Sequence, residues 1–457
     1  MIAGIAFNLA GGFTRPSGSY VFFYAVLGVI VGLFWKAVLG EPADSNLLAP
    51  RVTIEVYLGG ICAMLFAVYI SRKLATKRPL LGTMLEDTKM QNATIGCMVV
   101  GMLLVGIMSV VPHGTGSVLS ALQQLDRFLP LAIIIGVTHQ IRRSGGTSSI
   151  NLPVLISIVF SFFAGIVGFS KEGMLTPLLC WVIAASCMRY RVSLAQIAGG
   201  ALAAIFIFQY LVPYSQYGRQ YRSTSFSEQF DASIDLLSRL GYVRQQNALQ
   251  QADDDQASSA VYYNTPQGFF DRLQMISPDD TLIAFTEQNG PYGVLPLIQA
   301  FENLVPHVFW PSKPAVITGN FYDREMGNLP EEDTTTGISF TPTGEAYHLA
   351  RWTGVLVIAP TLWIVLFVIF DSLCGDVRKS PWGLLACVVF SHAAPEGLLT
   401  GVIYMYFYTT VMIVIAAVSA SYIMPLIGTF LAGPEGLRIV RTGEIRSFPR
   451  RFPNSRA

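Results

Sequence analysis

Residues 397–434 read GLLTGVIYMYFYTTVMIVIAAVSASYIMPLIGTFLAGP and contain no Asp, Glu, Lys or Arg in 38 positions. About 20 mostly apolar residues are enough for an α-helix to cross the hydrocarbon layer of a membrane. The whole chain shares this character, because 52% of its 457 residues are hydrophobic and 13% are charged, against roughly 25% charged in soluble domains. The composition therefore predicts an all-α polytopic membrane protein and excludes the disordered, fibrous and disulfide-rich secreted classes.

Further stretches have the apolar character of membrane-spanning helices. They comprise residues 17–39, 54–70, 93–111, 118–140, 151–168, 173–187, 192–218, 352–370 and 382–394. The stretch at 118–140 is the weakest candidate, because Asp126 and Arg127 interrupt it. We predict about ten transmembrane helices.

One long polar segment divides these helices into two groups. Residues 1–212 hold about seven predicted helices, 213–352 form a large loop, 353–433 hold about three helices, and 434–457 form a basic tail. Such a loop is too long for a simple connection in a compact bundle. Apolar residues at helical spacing, Leu297, Phe301 and Leu304, predict that the loop is partly helical. Its residues 245–259, rich in Gln, Ala and Asp, are expected to be disordered.

The positions of Lys and Arg predict the orientation of the chain, since these residues mark the cytoplasmic side when they lie in short loops. With ten helices, all the basic short loops fall on one side, together with the C-terminal tail. These loops hold Arg72, Lys73, Lys77, Arg78, Lys89, Arg142, Arg143, Arg189, Arg191, Arg378 and Lys379. We therefore expect both termini in the cytoplasm and the 213–352 loop on the exported side.

The formal net charge of +1 hides a segregation of signs. Residues 213–352 contain eight Lys/Arg and seventeen Asp/Glu, a net charge of −9, and the rest of the chain carries +10. The large loop is therefore not a broad surface for polyanions, and no global basic field indicates nucleic acid. Against this acidic background, Arg219, Arg222 and Lys313 stand out as local cations.

The first candidate site is the tight turn Phe-Ser-Lys-Glu-Gly at residues 169–173, between two predicted helices. Lys171 and Glu172 there are either a solvated ion pair or, for the lysine, a cation placed to meet a phosphate at the membrane surface.

The second candidate site is Tyr-Ser-Gln-Tyr-Gly-Arg-Gln-Tyr-Arg at residues 214–222, directly after a predicted helix. Its tyrosines fit an aromatic belt at the membrane interface. Its arginines also fit bidentate binding of phosphate, and tyrosine rings can stack on sugars. The binding interpretation, which we favour, assigns Tyr217, Arg219, Tyr221 and Arg222 to the substrate.

Two further stretches of the loop carry acid–base groups. Residues 304–314 contain three prolines, which stiffen the chain, and hold His307 and Lys313. Residues 335–348 contain Glu345 and His348, three positions apart, which share a face if the following helix begins early. A structural histidine and an extended helix cap are the alternatives. We favour a structural role for His392 and Glu396, and no Cys–His spacing indicates a metal site.

These stretches resemble the Wzy-type O-antigen and exopolysaccharide repeat-unit polymerases. Members of that family typically carry a Pro-Arg element, then Trp-Pro-x-Lys-Pro, then Thr-Pro-x-Gly-Glu-x-Tyr before a helix. The matching residues here are Pro306-His307, Trp310-Pro311-Ser312-Lys313-Pro314 and Thr341-Pro342-Thr343-Gly344-Glu345-Ala346-Tyr347. The 169–173 turn is similar to the family's Ser-Arg-Gly turn, with Lys171 as the cation. His307 stands where the family has Arg, and Ala350-Arg351 replaces its Phe-Gly.

The resemblance implies a glycosyltransferase of the bacterial inner membrane that needs no metal or other cofactor. It would transfer a growing glycan from undecaprenyl diphosphate to an incoming lipid-linked repeat unit. Lys171, Arg219, Arg222 and Lys313 would stabilise the leaving diphosphate. Glu345, His348 and His307 would be the catalytic residues, with Glu345 or His348 as the base. A chain-length regulator and a flippase of the same pathway are the implied partners.

Three other classes share part of this pattern. An O-antigen ligase has a similar architecture but transfers the glycan to the lipid A core. A transporter would show inverted repeats or charged residues at mid-membrane, and a structural subunit of an export complex would not need rigid polar loops. The sequence favours the polymerase, with the ligase as the main alternative.

Overall fold

The computed structural model describes residues 1–82, 84–110, 127–222, 224–257, 262–264, 273–306, 309–310, 318–332 and 337–431. The described residues form helices and connections and contain no β-strand. The prediction of an all-α fold is confirmed for these residues.

The helices are named in chain order. They are α1 (Ile2–Ala10), α2 (Pro16–Leu39), α3 (Pro50–Leu74), α4 (Asp87–Ser109), α5 (Phe128–Ser144), α6 (Leu152–Val167), α7 (Lys171–Cys187), α8 (Leu194–Tyr221), α9 (Phe226–Ser238), α10 (Leu240–Ala257), α11 (Ile276–Asn289), α12 (Leu295–Glu302), α13 (Thr318–Glu325), α14 (Pro342–Cys374), α15 (Pro381–Glu396) and α16 (Leu398–Leu431).

Among the described residues, six helices are long and apolar enough to cross a membrane: α2, α3, α4, α8, α14 and α16. The other four predicted spans overlap α5, α6, α7 and α15, which have 16 or 17 residues each, and residues 118–126 of the predicted 118–140 span lie outside the described residues. A helix of that length is slightly short of the roughly 20 residues that span the hydrocarbon layer. The total of about ten crossings stays a prediction.

The weakest predicted span turns out to be the centre of the bundle. Every residue of α5 from Phe128 to Thr138 is buried, and the helix packs against α4, α6, α7 and α15. A helix that is apolar on all sides is typical of a fully enclosed position. Since α5 touches protein on every side, it needs no long lipid-facing surface.

The short basic connections lie together at one end of the bundle, which we call the basic end. There, the Thr76 N–H donates to the Ser372 hydroxyl over 3.1 Å and the Arg142 guanidinium donates to the Arg378 carbonyl over 2.5 Å. Cys187 lies 3.4 Å from the carbonyl of Phe13. These contacts join the connections before α2, after α3, after α5, after α7 and after α14.

The described parts of the 213–352 segment pack at the opposite end, which we call the loop end. Asp280 of α11 accepts a 2.6 Å hydrogen bond from Thr53 at the start of α3, and the buried Lys36 of α2 donates to the Tyr262 carbonyl. Helices also extend into both ends of this segment, because α8 continues to Tyr221 and α14 begins at Pro342.

The prediction of disorder over residues 245–259 is wrong for most of that range. Residues up to Ala257 continue the helix α10. Gln and Ala are good helix formers, so a polar composition without aromatic residues did not exclude a helix here.

A buried aromatic cluster joins α2, α14 and α15. The ring of Tyr20 lies 5.5 Å from that of Phe367 and 5.3 Å from that of Phe390, and its hydroxyl accepts a hydrogen bond from Trp363. At the basic end, Asp371 of α14 accepts two hydrogen bonds from Ser17 of α2. These contacts hold the N-terminal and C-terminal groups of helices in one bundle.

The close crossing of α4 and α16 yields the first testable prediction. A Cβ atom at Gly96 would lie 2.1 Å from the Met424 carbonyl oxygen, whereas a Cβ at Gly106 of the same helix meets open space. We expect Gly96→Ala to destabilise the protein by about 1–3 kcal/mol through overpacking. Gly106→Ala should be neutral or slightly stabilising, since alanine favours a helix over glycine. Thermal unfolding in detergent measures both, and equal midpoints would contradict the crossing.

Candidate functional site

The predicted catalytic pair lies at the start of α14. Thr341 caps this helix, because its hydroxyl accepts a 3.0 Å hydrogen bond from the Gly344 N–H, and Pro342 occupies the first turn. The helix therefore begins early enough to carry Glu345 and His348 in its first two turns, as the sequence required for the two to share a face. Both side chains are buried.

Glu345 is fully enclosed and its carboxyl group accepts several hydrogen bonds. Tyr322 of α13 donates over 3.0 Å, the Thr400 N–H donates over 2.9 Å, and the Leu399 N–H also donates. The two N–H groups belong to the first turn of α16, where backbone donors have no partner within the helix and the helix dipole favours an acidic group. Glu345 thus caps α16, an arrangement that favours a positioning role.

Tyr322 contributes a hydroxyl that stays protonated. Burial and then the neighbouring carboxyl of Glu345 raise the pKa of Tyr322. A protonated hydroxyl can keep donating to Glu345, and the edge of the same ring contacts His348 at a centroid distance of 4.7 Å. Tyr322 therefore touches both members of the predicted catalytic pair.

The hydrogen bonds around His348 define which ring nitrogen carries its proton. The Thr286 hydroxyl donates to the Leu282 carbonyl over 2.7 Å, and the same oxygen lies 2.9 Å from Nδ1 of His348. A hydroxyl has one proton to donate, so Nδ1 must be the donor in the second contact. Nε2 of the neutral ring is then an unprotonated acceptor. It is buried and has no hydrogen-bond partner among the described residues.

The short connection between α11 and α12, residues 290–294, covers the His348 ring, and we call it the Tyr292 strap. Tyr292 stacks on that ring at 5.5 Å, and its N–H donates to the His348 carbonyl over 2.9 Å. Gly290 and Gly293 flank it with φ of 88° and 101°, a backbone region that favours glycine. His348 is 1% exposed, so its ring is closed off from solvent beneath the strap.

The strap donates hydrogen bonds to two carbonyl groups of α14, which a break in that helix leaves without partners in the helix. Ala350 and Arg351 have non-helical backbone angles, and Arg351 has a positive φ of 48°. The Leu349 carbonyl accepts from the Gly293 N–H over 3.0 Å, and the Arg351 guanidinium lies 3.6 Å from Glu287. Strained residues held by several contacts are typical of functional sites.

Asp279 of α11 ties its own helix to α3 and to the start of α14 next to this site. Its buried carboxyl group accepts hydrogen bonds from the Tyr57 hydroxyl over 2.7 Å, from the Thr341 N–H over 2.9 Å, and from the Thr341 hydroxyl. Gly344 permits the approach, since a Cβ atom there would lie 2.5 Å from the Asp279 carboxyl. Tyr24 of α2 completes the group by pairing with the Thr343 hydroxyl.

Three of the four predicted cations, Lys171, Arg219 and Arg222, form a second group at the loop end. Arg222 donates to the carbonyl of Phe169, whose ring lies 6.0 Å from that of Tyr221. Gly218 allows this packing, because a Cβ atom there would overlap the Phe169 ring. The structure therefore joins the 169–173 turn, which carries Lys171 as the first residue of α7, to the end of α8.

Two of these cations are open to solvent. Arg219 and Arg222 are exposed, whereas Tyr217, Tyr221 and Lys171 are half-buried. Neither arginine forms an ion pair with any residue that the structure describes. Partial desolvation and then the positive charge of Arg219 lower the pKa of Arg222. The two guanidinium groups thus repel each other, and a bound anion would relieve that repulsion.

The predicted site residues fall into two groups with different neighbours. Glu345 and His348 contact α11, α13 and α16, whereas the cation group contacts the turn between α6 and α7. His307 and Lys313 lie outside the described residues. Sequence reasoning missed Asp279, Thr286 and Tyr322, although the paired aspartates at 279 and 280 within a helical, partly apolar segment were a visible signal.

The chain matches no protein-family model, no curated protein and no solved structure. Within the described ranges, no group of three or more His, Cys, Asp or Glu side chains has an arrangement that could hold a metal ion.

The tautomer of His348 can be tested by ¹⁵N NMR of histidine-labelled protein in detergent at a pH where the ring is neutral. We expect Nδ1 to be protonated and Nε2 unprotonated. Thr286→Val keeps the volume but removes the acceptor, so it should shift His348 towards the other tautomer, whereas Thr286→Ser should retain the wild-type state. The spectrum of His348→Gln assigns the signal among the five histidines. An unchanged tautomer in Thr286→Val would contradict the assignment.

The buried carboxyl group of Asp279 should make the free energy of unfolding depend on pH. Burial raises the pKa of Asp279 to about 7, Asp280 adds to the rise, and the hydrogen bonds from Thr341 and Tyr57 partly offset it. The folded state therefore binds this proton more tightly than the unfolded chain, whose aspartate has a pKa near 3.9. The resulting stabilisation is complete below about pH 4 and is lost as the pH rises through about 7.

We expect the thermal unfolding midpoint of the wild-type protein in detergent to decrease as the pH is raised from 5 to 8. Asp279→Asn cannot titrate, so its midpoint should change less over the same interval. Parallel pH profiles for the two proteins would show that Asp279 does not bind this proton.

Proposed function

We propose that the protein is a membrane-embedded glycosyltransferase that polymerises lipid-linked oligosaccharide repeat units. It would move the growing glycan from undecaprenyl diphosphate to the sugar of an incoming lipid-linked unit, producing O-antigen or exopolysaccharide. The observation that carries this proposal is the cation group, in which Arg222, three residues after Arg219, contacts the Lys171 turn at the loop end of an apolar helical bundle. The sequence resemblance is its second support.

The cation group has the chemistry that a leaving diphosphate requires. Cleavage of the bond between a sugar and a diphosphate leaves negative charge on the phosphate oxygens, which nearby cations stabilise. Arginine binds phosphate through two parallel hydrogen bonds. Because Arg219 and Arg222 have no acidic partner among the described residues, binding a phosphate there breaks no existing ion pair.

His348 is the better of the two candidate bases. In the proposed step, the acceptor hydroxyl oxygen forms a bond to the anomeric carbon, the bond from that carbon to the diphosphate oxygen breaks, and the diphosphate leaves with the electron pair. The hydroxyl proton passes to Nε2 of His348, which has a free lone pair. Glu345 is already saturated with donors and positions α13 and α16. The Tyr292 strap must open for the acceptor to enter.

The proposal also assigns the sides of the membrane. The basic end holds the Lys- and Arg-rich short connections and would face the cytoplasm. The loop end would then lie on the exported side of the bacterial inner membrane, where the lipid-linked units are polymerised. Both termini would lie in the cytoplasm. A flippase that delivers these units and a regulator of chain length are the partners that such an activity requires.

The test is the glycan profile of a deletion strain. We expect O-antigen or exopolysaccharide limited to a single repeat unit, which the wild-type gene restores. Long glycan chains that remain unattached to the lipid A core would indicate the ligase instead. Transport of an isolated solute by vesicles containing the purified protein would overturn both.

Arginine variants test the cation group itself. We expect Arg219→Ala and Arg222→Ala each to reduce polymer formation by about 100-fold, the usual effect of removing one stabilising donor. Arg239→Ala is the matched control, because this exposed arginine of the same segment is already paired with Asp235. Membrane insertion should be equal in all three variants, and normal polymer from both Arg219→Ala and Arg222→Ala would contradict the role.

A further inference from the structure

The helix α12 within the large polar segment has an apolar side that faces away from the bundle. Its other side packs mainly on α16 and buries Pro296, Leu297 and Ala300. The outward residues Leu295, Ile298 and Phe301 follow one another at a spacing of three and are 54%, 51% and 48% exposed. A continuous apolar face of this kind indicates an interaction surface.

Hydrogen bonds to two membrane helices hold both ends of α12. Before the helix, the Gly293 N–H donates to the Leu349 carbonyl over 3.0 Å, directly before the break in α14. After the helix, the Asn303 carbonyl accepts a 3.1 Å hydrogen bond from the Tyr408 hydroxyl of α16. The depth of α12 therefore follows from where these two contacts lie along α14 and α16.

That depth corresponds to the loop-end surface of the membrane. At the basic end, Asp371 of α14 accepts hydrogen bonds from Ser17, and Thr429 of α16 accepts one from Asn92 over 2.8 Å. From there, about 20 residues lead to the break in α14 and about 20 lead to Tyr408, a rise of about 30 Å in each helix. The hydrocarbon layer has about this thickness, so α12 lies where both helices leave it.

Aromatic side chains typical of a membrane surface lie next to α12 in space or in sequence. The Tyr408 ring stacks on that of Tyr404 at 5.8 Å, and Phe309 and Trp310, which follow α12, are 80% and 38% exposed. Tyrosine and tryptophan are enriched at this level of membrane proteins. The helix itself, LPLIQAFE, contains no Lys or Arg, so apolar contact and not attraction to anionic lipid would hold it.

We propose that α12 is an interfacial helix whose apolar side lies in the loop-end leaflet of the lipid bilayer. The side chains of Leu295, Ile298 and Phe301 extend between the acyl chains near the headgroups, as in other amphipathic helices whose apolar face is buried by about 5–10 Å. Because the Tyr292 strap leads directly into α12, the bilayer fixes one end of the segment that covers His348. This placement goes beyond the proposed reaction and holds whether or not the protein transfers glycans.

Site-directed spin labelling in phosphatidylcholine vesicles tests the position of α12. The label is attached to Ile298→Cys or Phe301→Cys of the full-length chain in a Cys62→Ser background, because the other five cysteines are buried. Its accessibility to oxygen, which dissolves among acyl chains, is compared with its accessibility to a polar nickel chelate. Asp44→Cys in the exposed α2–α3 connection is the aqueous control, and Phe66→Cys, at a position 54% exposed within α3, is the hydrocarbon control.

We expect the oxygen-to-nickel accessibility ratio at both α12 positions to exceed that at Asp44 by about three-fold or more, since these labels lie in the apolar layer. The ratio should stay below that at Phe66, which lies deeper. A ratio equal to that at Asp44 would place this side of α12 in water and overturn the proposal.

Low accessibility to both reagents would overturn it as well, because a second copy of the chain or another protein would then cover the face. Unfolding midpoints equal to that of the unlabelled protein establish that the labelled variants keep the fold. No glycan substrate is present in these measurements, so their result is independent of the polymerase test.

Discussion

The buried carboxyl group of Glu345 is the contact on which the loop end of this protein depends. A charged group inside an apolar bundle costs several kcal/mol unless hydrogen bonds compensate for the lost water. Here the Tyr322 hydroxyl and the first N–H groups of α16 supply that compensation. Because its partners come from α13 and α16 while Glu345 belongs to α14, this one group sets where the large loop meets the membrane helices.

The same anchoring places the chemistry of His348. His348 lies one turn after Glu345, where it contacts Thr286 of α11 and the Tyr292 strap. The break at Ala350 and Arg351 leaves carbonyl groups of α14 free to accept hydrogen bonds from that strap. A closed strap keeps water from the unprotonated Nε2. A buried candidate base and an exposed pair of arginines at the same end of the bundle are consistent with the proposed reaction between two lipid-linked molecules.

Several features were predictable because they depend on residues close together in the chain. The apolar stretches indicated the helices, the Thr341-Pro342 pair and the acidic first turn were consistent with an early start of α14, and the Lys171 turn and the 214–222 stretch were both recognisable as candidate cation sites. Other features were not predictable. The central position of α5 depends on which helices surround it, and the helix over 240–257 carried no apolar pattern that would have indicated it.

The sequence by itself determined that this is a multi-pass helical membrane protein, where its charges lie and which polar residues were candidates for chemistry, since hydropathy and charge are read from neighbouring positions. Only the tertiary structure decided what those polar residues touch. Tyr24 and Thr343 pair across 319 positions and Thr286 meets His348 across 62. In an apolar interior, a polar group must find a partner wherever packing brings one, so the tautomer of His348 and the anchoring of Glu345 follow from helix packing.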